Sequence, residues 1–209
     1  MSRTLKQDYF TVAEYLAFER AAETKHEYAA GEIIAMSGAS RAHNLITGNI
    51  ARRLGNQLDN KPCETYSSDM RVRVTPKSYY YPNVVVVCSE PRFEDAEVDT
   101  LLNPTVAFEI LSKSTEARDR GDKFFDYRAL DSLSDYVLVA QDKMRVEQFV
   151  RQPNGEWALR AVSEREGKIT LTSIGCELTL AEIYQRVVFP PARQLKSVGE
   201  ESPPPALST

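Results

Sequence analysis

The chain has 209 residues, 42% hydrophobic and 27% charged, the balance of one soluble globular domain large enough to bury a sizeable core. No stretch approaches the roughly 20 apolar residues that a bilayer span requires, and Met1 to Phe10 lacks a leader-peptide core, so neither a membrane anchor nor secretion is expected. A formal net charge of −4 excludes a protein that coats nucleic acid without selection but leaves room for a local basic groove. Cys63, Cys88 and Cys176 stand far apart in the chain, which suggests neither a disulfide framework nor a CxxC site and fits a reducing cytoplasm.

Thr11-Val-Ala-Glu14 reads as a capping box that opens a helix to about Glu23. Glu27 to Met36 reads as a hairpin turning near Ala30-Gly31. Ile46, Ile50, Leu54 and Leu58 then recur at four-residue spacing, predicting an amphipathic helix within Ser40 to Asn60. Met70, Val72 and Val74 alternate with Arg71 and Arg73, the pattern of a strand with one buried face. Val84 to Val87 and Val106 to Leu111 are apolar runs suited to central strands. A helix is expected over Ser114 to Leu130 and another strand over Tyr136 to Ala140.

Arg145 to Arg151 and Trp157 to Val162 flank Pro153-Asn154-Gly155 and predict a meander of hairpin strands. Thr179-Leu-Ala-Glu182 is a second capping box, opening a short helix that ends before Pro190. From Pro190 onward lie five of the eleven prolines, so residues 1–190 are expected to form the domain and 191–209 a disordered tail.

Cationic charge gathers in the middle. Residues 41–130 hold 13 Lys and Arg against 13 Asp and Glu; setting aside Glu90, Glu94, Asp95, Glu97 and Asp99 with Arg92, which crowd one loop, leaves 12 against 8, a net +4. Either this is a solvated surface of mixed charge or Arg71, Arg73, Lys113, Arg118 and Arg120 line a groove for phosphates. Tyr79, Tyr80 and Tyr81 either stack on bases or pack over the core.

Glu109 is the odd residue of an otherwise apolar strand. A lone carboxylate there needs a cation, a metal or a proton, or else a solvated edge or an arginine partner, because desolvating the bare ion costs several kcal/mol. Lys123 either decorates a helix surface or returns over the end of that strand, and Asn83 opens the neighbouring apolar run. His43 is a structural residue, a metal ligand or a proton carrier; Glu27 and Asp69 are acids of the site's surroundings or of turns and strand edges.

Tyr81-Pro82-Asn83 with Val84 to Val87, then Phe108-Glu109-Ile110-Leu111-Ser112, then Asp119-Arg120 with Lys123 and Tyr127, form an ordered set. Glu27 with Gly31-Glu32, His43-Asn44 and Ser68 to Val72 precede it in matching order. Together they resemble the Uma2-type restriction endonuclease family of the PD-(D/E)xK nuclease superfamily, over roughly residues 10 to 190. The resemblance implies an α/β restriction-endonuclease-like core with a mixed central sheet flanked by helices, plus a C-terminal β meander. It further implies a cytoplasmic endonuclease that hydrolyses DNA with Mg²⁺ or Mn²⁺, paired as a homodimer. The implied metal ligands are Glu109 and Asn83. Lys123, standing in for a lysine displaced from the position of Leu111, assists the attacking water. His43, Asp69 and Glu27 are secondary candidates, and Arg71, Arg73, Arg118 and Arg120 are phosphate contacts. Asn83 replaces the family's aspartate, which keeps an oxygen ligand but removes a negative charge. The alternative reading is therefore an impaired homologue that only binds nucleic acid, or a structural dimer with neither activity.

Overall fold

The computed structural model describes residues 9–190; the Pro-rich tail expected at 191–209 lies outside the described residues. Helix α1 (Val12–Ala21) starts at the Thr11 capping box, both reciprocal bonds of which are present. Strands β1 (His26–Ala29) and β2 (Glu32–Ala35) form the expected hairpin. Its turn places Gly31 at φ 102°, where a side chain is strained. Helix α2 (Arg41–Leu58) is capped by the Ser40 hydroxyl and buries Ile46, Ile50, Leu54 and Leu58, the stripe that the spacing predicts.

Six strands come next: β3 (Glu64–Ser67), β4 (Arg71–Thr75), β5 (Ser78–Tyr80), β6 (Val84–Val87), β7 (Thr100–Leu101) and β8 (Val106–Leu111). The helix expected over Ser114 to Leu130 is shorter and broken. It consists of α3 (Glu116–Arg118), a π turn over Asp119–Lys123 and α4 (Phe124–Tyr127). A π turn holds one residue more than an α turn and shifts the phase of the helix beyond it, a distortion that recurs at functional sites. Here it carries two buried charges, Asp119 and Lys123.

Beyond it run β9 (Asp135–Ala140), β10 (Val146–Arg151), β11 (Trp157–Val162), β12 (Lys168–Leu171), β13 (Cys176–Thr179) and the short α5 (Leu180–Ile183) on its own capping box. The central sheet is mixed, with order β11-β10-β9-β8-β6-β3; β8 and β9 run parallel and the other pairs antiparallel. The hairpin β10/β11 thus extends this sheet. A second sheet has order β2-β1-β5-β4-β7, and β12 pairs with β13 alone.

Alternation along β6 and β8 sorts their side chains between two cores. Val84, Val86, Val106, Phe108 and Ile110 meet α2, β12, β13 and α5. Val85, Val87, Ala107 and Leu111 meet β4, Tyr80, Tyr127 and Tyr136. By the same alternation Glu109 faces the second core. The three consecutive tyrosines Tyr79, Tyr80 and Tyr81 are all buried. Tyr80 belongs to the second core, while Tyr79 packs against the stacked pair Tyr15 and Tyr28 in a third cluster.

One expectation is corrected. Cys63 and Cys88 form a disulfide, and Cys176 is the buried free cysteine among the described residues. Register explains the pairing: β3 and β6 set Glu64 opposite Val87, and one step outward along that antiparallel ladder brings Cys63 to Cys88, with Cα atoms 4.1 Å apart. Distance along the chain carries no information about register. Among the described residues no helix is long and apolar enough to cross a membrane.

The α2 stripe anchors the first core, so Leu54→Ala, at a position with 0% exposure, is expected to cost about 2–5 kcal/mol. Urea unfolding checks this, and a loss below about 1 kcal/mol would contradict the packing.

Candidate active site

Lys123 gathers the site. Carried inward by the π turn, its ammonium lies 2.7 Å from Glu27 Oε1, 3.2 Å from Glu109 Oε1 and 3.3 Å from Asp119 Oδ1. All four residues are buried, none more than 5% exposed. They arrive from four places: β1 for Glu27, β8 for Glu109, and the first and last residues of the π turn for Asp119 and Lys123. Arg118 donates to Glu27 Oε2 at 2.7 Å, and the Tyr81 backbone N–H donates to Glu27 Oε1. The Tyr80 ring lies 5.4 Å from the Lys123 ammonium and 5.3 Å from the Arg118 guanidinium, adding cation–π attraction to both.

Three carboxyl groups face two cations, so the cluster carries an excess of negative charge only when all three are ionised. Burial first, then Asp119 and Glu27, push the Glu109 carboxyl up to about 8, against the pull of Lys123. The acids in turn keep Lys123 firmly protonated despite its burial. Asp119 Oδ1 is buried and makes no hydrogen bond, with the Lys123 ammonium as its neighbour.

Asn83 stands beside Glu109. Val84 is the register partner of Phe108, and the Asn83 N–H donates to Phe108 O at 2.9 Å, so Asn83 closes the same ladder one residue out. Its amide is oriented from both ends. Oδ1 accepts the Ile110 N–H at 2.7 Å, and Nδ2 meets His43 Nε2 at 2.9 Å. Because an amide nitrogen has only protons to give, His43 Nε2 must accept and the ring must be neutral with its proton on Nδ1. Burial, which lowers the His43 pKa, favours that neutral form. Ser40, the N-cap of α2, fixes the first turn that carries His43.

Other expected site residues lie apart. The Asp69 side chain is 89% exposed and pairs with Lys25, away from the lysine cluster. Arg71, expected to touch phosphate, is instead 2% exposed and pairs with Asp99; Arg73 pairs with Glu94. Arg118 is bound to Glu27, and Arg120 to Glu116 and Glu147. The loop set aside in the charge count supplies Glu94 and Asp99, so the +4 of the remaining segment is cancelled by the very acids excluded from it. Asp119 is the participant missing from the residue-by-residue expectation. Its spacing of four residues before Lys123 was the available signal.

Among the described residues no three or more His, Cys, Asp or Glu side chains form a metal cage. Magnesium, however, usually keeps several waters and takes one or two carboxylates plus substrate phosphate. Glu109 offers a carboxylate once its proton is lost, and Asn83 offers an oxygen that already accepts one hydrogen bond. By chemistry alone this is a hard-oxygen donor pair, one charge short of two carboxylates.

Lys123→Met removes the ammonium and leaves three buried acids, so denaturant unfolding at neutral pH is expected to show a loss of about 3–5 kcal/mol. Glu109 also predicts a pH trend for the metal-free protein. Its folded pKa of about 8 exceeds the ordinary 4.5, so the folded chain binds the proton more tightly and stability falls as pH rises through that window. Glu109→Gln is expected to flatten this decline; equal slopes for both proteins would contradict the assignment.

Comparison with known proteins agrees with this architecture. The model of the Uma2 family, described as "Putative restriction endonuclease", matches residues 12–181. Two relatives from Synechocystis sp. (strain PCC 6803) are named only as uncharacterized proteins. Protein sll1609 is 36% identical over 160 residues, covering 76% of this chain and 90% of its own length. Protein slr1290 is 33% identical over 177 residues, covering 84% and 92%. The crystal structure of "a putative nuclease belonging to DUF820" from Anabaena variabilis superposes with a TM-score of 0.70 at 15% identity, over 86% of this chain and 99% of that one, a likeness of fold. With its model spanning most of the sequence, the Uma2 family is the one to which this chain belongs.

Proposed function

We propose that this chain is a metal-dependent endonuclease that hydrolyses phosphodiester bonds of DNA, with Glu109 and Asn83 as ligands of Mg²⁺ or Mn²⁺. The observation that carries the proposal is the Glu109 carboxylate against the Lys123 ammonium, on a strand whose backbone Asn83 grips on either side of Glu109, at Phe108 O and the Ile110 N–H. A bound cation would neutralise phosphate charge and lower the pKa of a water.

The chain's own groups do the rest. Lys123, held in place by Glu27 and Asp119, supplies positive charge where negative charge develops on the attacking oxygen and the phosphate. Arg118 secures Glu27, and His43 holds the amide of Asn83. Cutting both strands takes two such centres, so the proposal includes a homodimer, which sedimentation equilibrium checks.

A second reading is favoured by one specific observation: Asn83 Oδ1 already accepts the Ile110 N–H, and the amide adds no charge. On that reading the chain is an impaired nuclease that binds nucleic acid without cutting it. Supercoiled plasmid incubated with Mg²⁺ or Mn²⁺ separates the two. The endonuclease reading expects cleavage by the wild type, a loss of at least about 100-fold in Glu109→Ala and a gain of about tenfold in Asn83→Asp. Cleavage only after Asn83→Asp establishes the impaired homologue, and no cleavage by either protein overturns hydrolysis as the function of this site.

A further inference from the structure

A cavity of about 390 Å³ opens beside the catalytic strand, lined in part by Ala42, Leu111, Ala140 and Val188. That volume is in the roughly 300–1,000 Å³ range of small-molecule sites. Leu111 and Ala140 are the last register partners of the parallel pair β8 and β9, so the cavity lies beyond the carboxyl ends of parallel strands, where open α/β sheets receive ligands. Leu111 is two residues past Glu109, roughly 7 Å along the strand. Ala42 adjoins His43 in sequence on the opposite wall.

The walls are tied together before any ligand arrives. Gln141 donates to the Leu111 carbonyl at 2.9 Å and accepts from the Ser40 hydroxyl at 2.5 Å, joining α2 to the strand ends. Val188 is 79% exposed, an aliphatic face without cover among the described residues.

Charge at the rim is selective. Lys113 and Lys143 make no ion pair or side-chain hydrogen bond among the described residues, unlike Arg71, Arg73, Arg118 and Arg120, which are all committed to acids. Of the two rim carboxylates, Glu116 is held by Arg120, which leaves Asp142. Two available ammonium groups beside an aliphatic slot match a phosphate joined to a flat apolar ring.

We propose that this cavity holds one nucleotide of the substrate strand adjacent to the scissile phosphate, its base against Leu111, Ala140 and Val188 and its phosphate on Lys113 and Lys143. The assignment rests on the nuclease reading of Glu109 and Lys123 and names the neighbouring subsite. Of the cations expected to line a phosphate groove it keeps Lys113, sets aside the four arginines and adds Lys143. An enzyme that lodges an unstacked base favours single-stranded or locally opened DNA over a perfect duplex.

The test is a titration of deoxyadenosine monophosphate into the metal-free, full-length protein, monitored by NMR of methyl groups. Shifts centred on Ala42, Leu111, Ala140 and Val188 are expected. The double variant Lys113→Ala/Lys143→Ala, altered only at exposed positions, is expected to weaken binding at least about tenfold, whereas Lys77→Ala/Arg160→Ala, which removes equal charge elsewhere, leaves it unchanged. Shifts outside the cavity, equal losses in the two double variants, or the same shifts with inorganic phosphate alone would overturn the proposal. The readout needs neither metal nor turnover: nucleotide binding by a protein that cuts no plasmid sinks the nuclease reading alone, and plasmid cleavage without these shifts sinks the subsite alone.

Discussion

A single ammonium group holds the centre of this protein together. Lys123 is buried with Glu27, Glu109 and Asp119 around it, and each acid belongs to a different part of the fold or to a different end of the π turn. None of these carboxylates would be tolerated in its apolar surroundings without compensation, since an unpaired buried charge costs several kcal/mol. The cluster therefore fixes the first hairpin, the central sheet and the broken helix relative to one another. When Glu109 loses its proton the cluster is left one positive charge short.

Asn83 bonds to the β8 backbone on either side of Glu109. The Ile110 amide holds its oxygen and the neutral His43 ring accepts from its nitrogen. Both partners are fixed by backbone, one in β8 and the other in the first turn of α2, so the orientation of the amide is a property of the fold. A carboxylate at this position would place a second acceptor against the neutral His43 ring.

The cationic middle of the sequence has a different fate in three dimensions. Arg71 and Arg73 sit on β4, and the loop that leads to β7 folds its acids back over them, with Asp99 and Glu94 as partners. Arg20 from α1 joins Asp95 and Asp99. What reads in sequence as a basic groove plus an acidic loop is an internal ion-pair network, which fastens the second sheet. Lys113, from the same segment, and Lys143 beyond it stand instead at the carboxyl ends of β8 and β9.

Elements whose signal is local were legible in the order of residues: both capping boxes, the α2 stripe, the hairpin turns and the apolar runs of β6, β8 and β9. Spacing and hydrophobic period depend only on near neighbours in the chain, and the oddity of Glu109 within Val106 to Leu111 is visible for the same reason. The short strands β3, β5 and β7 were settled only in three dimensions, because their composition is ordinary and their existence depends on partners. So were the Cys63 to Cys88 pairing, the burial of Arg71, and the arrival of Glu27 at Lys123. Each of these is a contact between distant segments, set by strand register and helix phase, and no pattern along one segment carries that information.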